Sequence, residues 1–465
     1  MTHRVAGAPL DFAALRDELE VPGDFSSDVI AEADRAAGQA ALPAADATGI
    51  PFVTIDPPGS RDLDQALHIA RNGAGYVVSY AIADVAGFVR IGSALDAEVR
   101  TRGETFYFPD ARIPLHPTVL SDNAASLLPG VTRPAVVWRI GLDASADVTG
   151  VELGRARIRS RAQLNYDDAE RGAVGDEHDG VLLLLAEVGR LLLARARARH
   201  AIDLNLPEQQ VVRTTGGWRL ELRASLPAER HNAEISLLTG RCAARIMLDG
   251  GIGILRTVPG PPTSAVGRLR SVAHALGVDW PQHALPGDVL STLDRGNPRH
   301  VALIEHAAQL LRGSGYTAFD GSPPTQRDHA GIGAPYAHVT APLRRLVDRF
   351  GTEVCLALHA GRPVPVEVRT TLPQLPNLMQ HADHRAHEAD RAVVDMTEAW
   401  LLRDRVGEVF PATVIDSEAH AGTIVIDDPA IRARCDGANL PIGERITARL
   451  RAADVTTRQV RFARA

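Results

Sequence analysis

From Leu10 to Ala41 the apolar positions recur at helical spacing. Phe12, Leu15 and Leu19 share one face, and Val29, Ile30 and Ala33 another, so two short helices are predicted, the second capped by Ser26 or Ser27. After Pro43 the period shortens: Pro51-Phe-Val-Thr-Ile-Asp56 reads as a strand, and 66–70 and 76–83 as two more, separated by Asn72-Gly73-Ala74-Gly75. Helical patterns return at 179–199, a Leu-, Ala- and Arg-rich stretch interrupted by Gly180 and Gly189, and at 233–248, 266–276, 300–311 and 342–358. From Glu408 the texture changes to short alternating runs at 410–415, 422–426, 431–435, 445–450 and 459–463, broken by Gly and Asp. Strands packed so closely predict a small closed barrel of the OB type. The expectation is therefore an α+β chain: a helical N-terminal segment over 1–48, a large central domain over 49–406, and an OB-fold β-barrel over 407–465.

A chain of 465 residues has room for a large core plus small modules. Its net charge of -7 excludes a protein that coats nucleic acid with its whole surface, so any such contact is local. All 50 basic side chains are arginines, whose planar fork suits bidentate phosphate contacts. They are spread along the whole chain, so base composition explains most of that bias. Cys242, Cys355 and Cys435 lie far apart and form no CxxC, which argues against a disulfide framework or a zinc knuckle and for a reducing compartment. Met1 to Leu10 does not pair a basic segment with an apolar core, and no run approaches the roughly 18 apolar residues of a membrane span. A cytoplasmic protein with no membrane partner is expected.

The segment Thr54-Ile-Asp-Pro-Pro-Gly-Ser-Arg-Asp-Leu-Asp-Gln-Ala66 is the most informative. Asp62 and Asp64 alternate at period two and point the same way, while the Pro-Pro-Gly turn brings Asp56 beside them. Carboxylates that close repel one another unless a cation lies between them, and hard oxygen ligands suit Mg²⁺ or Mn²⁺. An acidic loop with Arg61 as local counter-charge is the competing reading, and spacing alone favours it.

The surrounding blocks tip the balance. Val21-Pro-Gly-Asp-Phe, Arg61-Asp-Leu-Asp-Gln-Ala-Leu67, Tyr80-Ala-Ile-Ala-Asp-Val85, Tyr107-Phe-Pro-Asp, Ile113-Pro-Leu-His-Pro117, Ala125-Ser-Leu-Leu-Pro129, Ala201-Ile-Asp-Leu-Asn-Leu-Pro-Glu208, Glu234-Ile-Ser-Leu-Leu and Tyr336-Ala-His-Val-Thr-Ala-Pro-Leu-Arg-Arg345 follow in order. Together they resemble the catalytic domain of the ribonuclease II and ribonuclease R (RNB) family over roughly residues 21 to 405.

That resemblance implies hydrolysis of single-stranded RNA from a free 3′ end, releasing nucleoside 5′-monophosphates, by a metal-dependent exoribonuclease. It implies Asp64, Asp62 and Arg344 as catalytic residues, Asp56, Asp62 and Gln65 around the metal, and Tyr107, Glu234 and Arg345 on RNA. Gln65 stands where the family usually has a further Asp, so weaker Mg²⁺ affinity, a preference for Mn²⁺, or lost catalysis follows. Thr340 is placed to cap a helix with Pro342 in its first turn, which presents Arg344 to a phosphate; an Arg344–Asp348 pair is the alternative. Glu234 is expected to open its helix and meet the terminal ribose. The family Asn that follows is Gly240 here. His381, His384 and His387 drift round a solvated helix face and are not read as ligands. Arg432, Arg434, Arg449 and Arg451 are candidates for a basic barrel face.

The family's two cold-shock-like N-terminal domains have no counterpart in the 50 or so residues before the first strand, and a more open channel entrance, admitting partly double-stranded RNA, is expected. A monomer is expected too. Two other readings stand beside the exoribonuclease: an RNA-binding homologue that has lost catalysis through Gln65, and a metal phosphodiesterase acting on another substrate.

Overall fold

The computed structural model describes residues 10–171, 176–215 and 217–465, so the first nine residues of the expected N-terminal segment lie outside it. The central domain is built on a six-stranded sheet. Its strands include β1 (Val53–Ile55), β2 (Gln65–Asn72) and β3 (Gly75–Ala83). Two short strands off the sheet, β4 (Phe106–Tyr107) and β5 (Arg112–Ile113), pair as a hairpin. The sheet is completed by β6 (Thr132–Leu142), β7 (Val148–Arg159) and β8 (Ala162–Leu164), in the order β7-β6-β3-β2-β1-β8. All its pairings are antiparallel except β1 with β8.

The β2–β3 hairpin forms where the sequence pattern puts it, with Gly73 at φ 59 in the two-residue turn. The pattern gives no warning of β6 and β7. β6 is buried almost throughout, so its apolar run does not alternate, and Gly150, Gly154 and three arginines break the rhythm of β7.

Two N-terminal helices appear, Phe12–Glu18 and Ser27–Gln39, and Ser26 Oγ caps the second by accepting the Val29 N–H at 3.4 Å. The helices Asp176–Ala198 and Leu346–His359 pack on β2 and β7, and Pro227–Gly250 touches both. Gly189 is needed mid-helix, because a Cβ there would lie 2.5 Å from the Cβ of His231 on the neighbouring helix. The last helix, Leu375–Leu402, leaves His381, His384 and His387 exposed along one side.

The C-terminal barrel closes as expected, from Val409–Ser417, Ala421–Ile426, Ile431–Asp436, Arg445–Asp454 and Gln459–Arg464. Phe410, Val414, Ile424, Leu450 and Phe462 fill it. Of the arginines expected on its basic face, Arg432 lies 2.8 Å from Glu305 and Arg434 3.6 Å from Glu418. Arg449 donates to the Gly407 carbonyl at 2.7 Å. The first helix bridges barrel and central domain: Phe12 and Leu15 pack with Phe106, Phe108 and Trp400, and Glu18 takes a two-point ion pair from Arg458.

Glu398, buried near the end of the last helix, joins that helix to the barrel by accepting the Arg432 N–H and the Gln209 amide, each at 2.8 Å. Burial pushes its carboxyl up to about 7, against those two hydrogen bonds. The folded state therefore holds a proton that the unfolded state releases above its ordinary carboxylate range, and stability falls as pH rises towards 7. Glu398→Gln keeps the accepting oxygen and cannot ionise. Its thermal midpoint is expected to match the parent at pH 4.5 and exceed it by on the order of 2 °C at pH 8. A difference that is flat or shrinks with pH would contradict this.

Candidate functional site

Asp56 leaves β1 with its N–H donating to the carbonyl of Leu164, the last residue of β8, at 3.1 Å. The chain turns through Gly59, at φ 84, and returns. Leu63 is wholly buried, and its N–H donates to Ser126 Oγ at 3.0 Å while Ser126 donates to the Arg61 carbonyl at 2.6 Å. With Leu63 inward and its backbone held on both sides, Asp62 and Asp64 project the other way.

The second half of the site comes from far along the chain. Asp64, 5% exposed, accepts the Leu343 N–H through Oδ1 at 2.7 Å, across 279 residues of sequence. Its Oδ2 lies 3.6 Å from Nε of Arg344. Burial pushes the Asp64 carboxyl well above the usual range, against the Arg344 guanidinium and the Leu343 N–H. Asp56 is pushed up to about 7 by burial and by the charge on Asp62, and Arg344 again opposes. Three acids and one half-exposed arginine thus share one field.

Asp62 is covered by the β4–β5 hairpin. Arg112 Nη1 lies 2.6 Å from its Oδ1, and the Tyr107 hydroxyl donates to its Oδ2 at 3.4 Å. Of the aromatic triplet, Phe106 and Phe108 are core, whereas Tyr107 is 50% exposed beside the carboxylates.

Gln65, expected around the metal, is bonded at both ends inside the protein. Its amide donates to the Thr340 carbonyl at 2.7 Å, and its carbonyl accepts the buried Tyr80 hydroxyl at 2.5 Å. Both ends of the side chain therefore tie β2 to the turn that carries Arg344.

That turn departs from the expected helix start. The helix begins at Leu346, and the Thr340 hydroxyl pairs with Ser236 at 2.7 Å instead of capping. Asp348 reaches back to accept the Ala341 N–H at 2.6 Å and both donors of the Arg345 fork at 2.9 Å. The ion pair is thus Arg345–Asp348, not Arg344–Asp348. It occupies Arg345 among Tyr316 and Tyr336 and leaves Arg344 facing the acids.

Glu234 does not open a helix either. It lies two turns inside Pro227–Gly250, 7% exposed. Ser236 on the same helix faces Thr340, so Glu234, about 200° round the axis, faces a separate cavity of about 360 Å³ shared with Arg199, Asp203, Arg230 and Arg295. Burial raises its carboxyl, with Arg241 and Arg199 opposing. Gly240 admits the Tyr336 ring, whose Cε2 would lie 2.1 Å from a Cβ there, so the family Asn has no room.

Sequence reasoning missed Arg112 and Tyr166. Tyr166 follows β8 directly, accepts from Asn232 at 3.1 Å, and is raised to about 12 mainly by burial, with Asp56 contributing. Its position two residues beyond Leu164, the partner of Asp56, becomes visible only once β1 and β8 are paired.

The oxygens present fit a divalent cation in one respect above all: Asp56 Oδ2 is buried without a hydrogen-bond partner. Among the described residues, no three acid, His or Cys side chains stand close enough to ligate one ion as they are.

Comparison with known proteins agrees with the sequence resemblance. The RNB domain model matches residues 45–351, and the RNase II-type exonuclease C-terminal S1 domain model matches 408–465. Ribonuclease R of Escherichia coli is 28% identical over 90% of this chain and 57% of its own length, so the chain spans somewhat over half of that relative. In fold, Mycoplasma genitalium RNase R in complex with ribose-methylated single-stranded RNA superposes with a TM-score of 0.87 at 20% identity, over 97% of this chain and 77% of that one. Yeast Ssd1, described as a pseudonuclease, gives 0.70 at 18% identity over 89% and 52%.

Gln65→Leu takes from the Tyr80 hydroxyl its Gln65 acceptor and from the Thr340 carbonyl its Gln65 donor, and is expected to lower unfolding free energy by on the order of 2 kcal/mol in urea titrations. Gln65→Asp, too short to span both groups, restores little of it. A variant as stable as the parent would remove the tie from this account.

Proposed function

Because this chain belongs to the RNB family, we propose that it is a hydrolytic exoribonuclease that shortens single-stranded RNA from a free 3′ end and releases nucleoside 5′-monophosphates. The observation that carries the reading is the bonding of Asp64 and Gln65, at the head of β2, to the 340–345 turn, which sets Arg344 3.6 Å from Asp64 and in the field of Asp56.

In this reading Asp56, Asp62 and Asp64 hold Mg²⁺ or Mn²⁺, with Asp56 Oδ2 as the ready ligand, and Gln65 acts as a tie. An ion held by these residues would supply a lowered pKa for a water and an offset for charge at the leaving oxygen. Arg344, half exposed beside Asp64, neutralises the scissile phosphate. Tyr107 offers its ring to the last bases, a contact tolerant of sequence. Glu234 reads a ribose 2′-OH from the arginine-lined cavity. Arg345 contributes through its pair with Asp348, which sets the turn. The barrel contacts the RNA strand. Among the described residues no helix is long and apolar enough to cross a membrane. We place the protein in the cytoplasm as a monomer.

One observation favours a second reading, an RNA-binding homologue without catalysis: Gln65 removes a negative charge and points its polar ends into the protein. The two separate in an assay of 5′-labelled single-stranded RNA with Mg²⁺ or Mn²⁺, resolved at single-nucleotide length. The expected result is steady 3′ shortening with 5′-monophosphates released, slowed at least about 100-fold by Asp64→Asn. Intact RNA in both metals with binding preserved selects the second reading. Equal cleavage of an all-deoxy strand would point to a general phosphodiesterase.

A further inference from the structure

The β4–β5 hairpin has no role yet in the chemistry beyond Tyr107. Its cross-strand pair is Tyr107 with Arg112, and both side chains end on Asp62. The hairpin is firmly seated. Phe106 and Phe108 are core, the Phe108 N–H donates to the Ala111 carbonyl at 2.8 Å, and Arg16 of the first helix holds Asp110 at 2.7 Å. Arg112 is also shared: its Nη2 donates to both oxygens of Asp122, which itself accepts from Ser121 Oγ at 2.7 Å.

We propose that Arg112 is a positioning residue that neutralises Asp62 and so weakens the site's hold on a divalent cation, with Asp122 as the anchor that keeps Arg112 paired when Asp62 turns away. The inference rests on the reading of the three aspartates as the metal site. Two features carry it. First, Arg112 stands 2.6 Å from an acid that an ion must also use, so the guanidinium and the ion compete for one carboxylate. Second, the exchange leaves the arginine charge paired: a lone arginine losing its partner would leave a part-buried charge uncompensated, and here Asp122 remains bound to it. Gln65 contributes no compensating negative charge, so three carboxylates face the two cations Arg112 and Arg344.

The test is Mn²⁺ binding to the RNA-free full chain, followed by loss of the free-ion electron paramagnetic resonance signal, with Asp56→Asn marking which uptake belongs to the carboxylates. Arg112→Gln is expected to bind Mn²⁺ about tenfold more tightly, the scale of one neighbouring charge. Arg112→Lys, which keeps the charge, stays within about threefold of the parent on the same scale. Asp122→Asn leaves Arg112 to Asp62 alone and is expected to weaken binding; it decides the matter if Arg112→Gln does not fold by circular dichroism. Affinity unchanged or lowered in Arg112→Gln would overturn the inference, because a purely structural arginine leaves the site no tighter when removed. Mn²⁺ uptake that Asp56→Asn does not abolish in any of the proteins would overturn the metal reading itself, and this inference with it.

Discussion

The site depends on one buried hydrogen bond, from the Leu343 N–H to Asp64. A carboxylate 5% exposed needs compensation, and a backbone donor supplies it at a fixed point without adding a mobile side chain. Because that donor belongs to the 340–345 turn, satisfying Asp64 also fixes where Arg344 stands. The same turn is held from behind by the Thr105 N–H on the Arg344 carbonyl and the Leu346 N–H on the Gly103 carbonyl, both at 3.0 Å. Residues 103–105 lead directly into β4, so the turn that places Arg344 also places Tyr107. Acid, cation and aromatic are thereby set in one frame by backbone hydrogen bonds.

The frame explains how a chain can differ from its family pattern inside the site and still keep the arrangement. Where the family has an acid, Gln65 bridges Tyr80 and Thr340; where it has Asn, Gly240 admits the ring of Tyr336. Gln65 and Ser236 attach β2 and the helix Pro227–Gly250 to Thr340 at the head of the 340–345 turn. The Arg112–Asp62 contact belongs to the same balance, since it lowers mutual repulsion among acids that burial has already made costly to ionise.

The local features were legible in the sequence, and the non-local ones were not. Period two around Leu63 and the Pro57-Pro58-Gly59 turn announce converging acids, and five alternating runs announce the barrel. Burial on both faces hides β6, and two-residue strands such as β4 and β5 carry no period at all, which is why Arg112 escaped notice. The 340–345 segment misleads because its Thr, Pro and paired arginines are good helix-start chemistry. Tertiary bonds from Ser236 and Asp348 take those groups first, and the helix starts at Leu346 instead. Glu234 is a matter of angle: its helix was anticipated, but which face it presents depends on where Ser236 docks.

The central claim is that Asp56, Asp62 and Asp64, joined to Arg344 through the Leu343 turn, form one metal-dependent centre at the RNA 3′ end. A crystal structure with Mn²⁺ and a short RNA resistant to cleavage, read by anomalous scattering at the manganese edge, tests it most directly. The account predicts a manganese peak in contact with Asp56 Oδ2, the Arg344 guanidinium on the terminal phosphodiester, and the Leu343 N–H still on Asp64. RNA bound in the channel with no manganese at the three aspartates, or with the terminal phosphate away from Arg344, would contradict it.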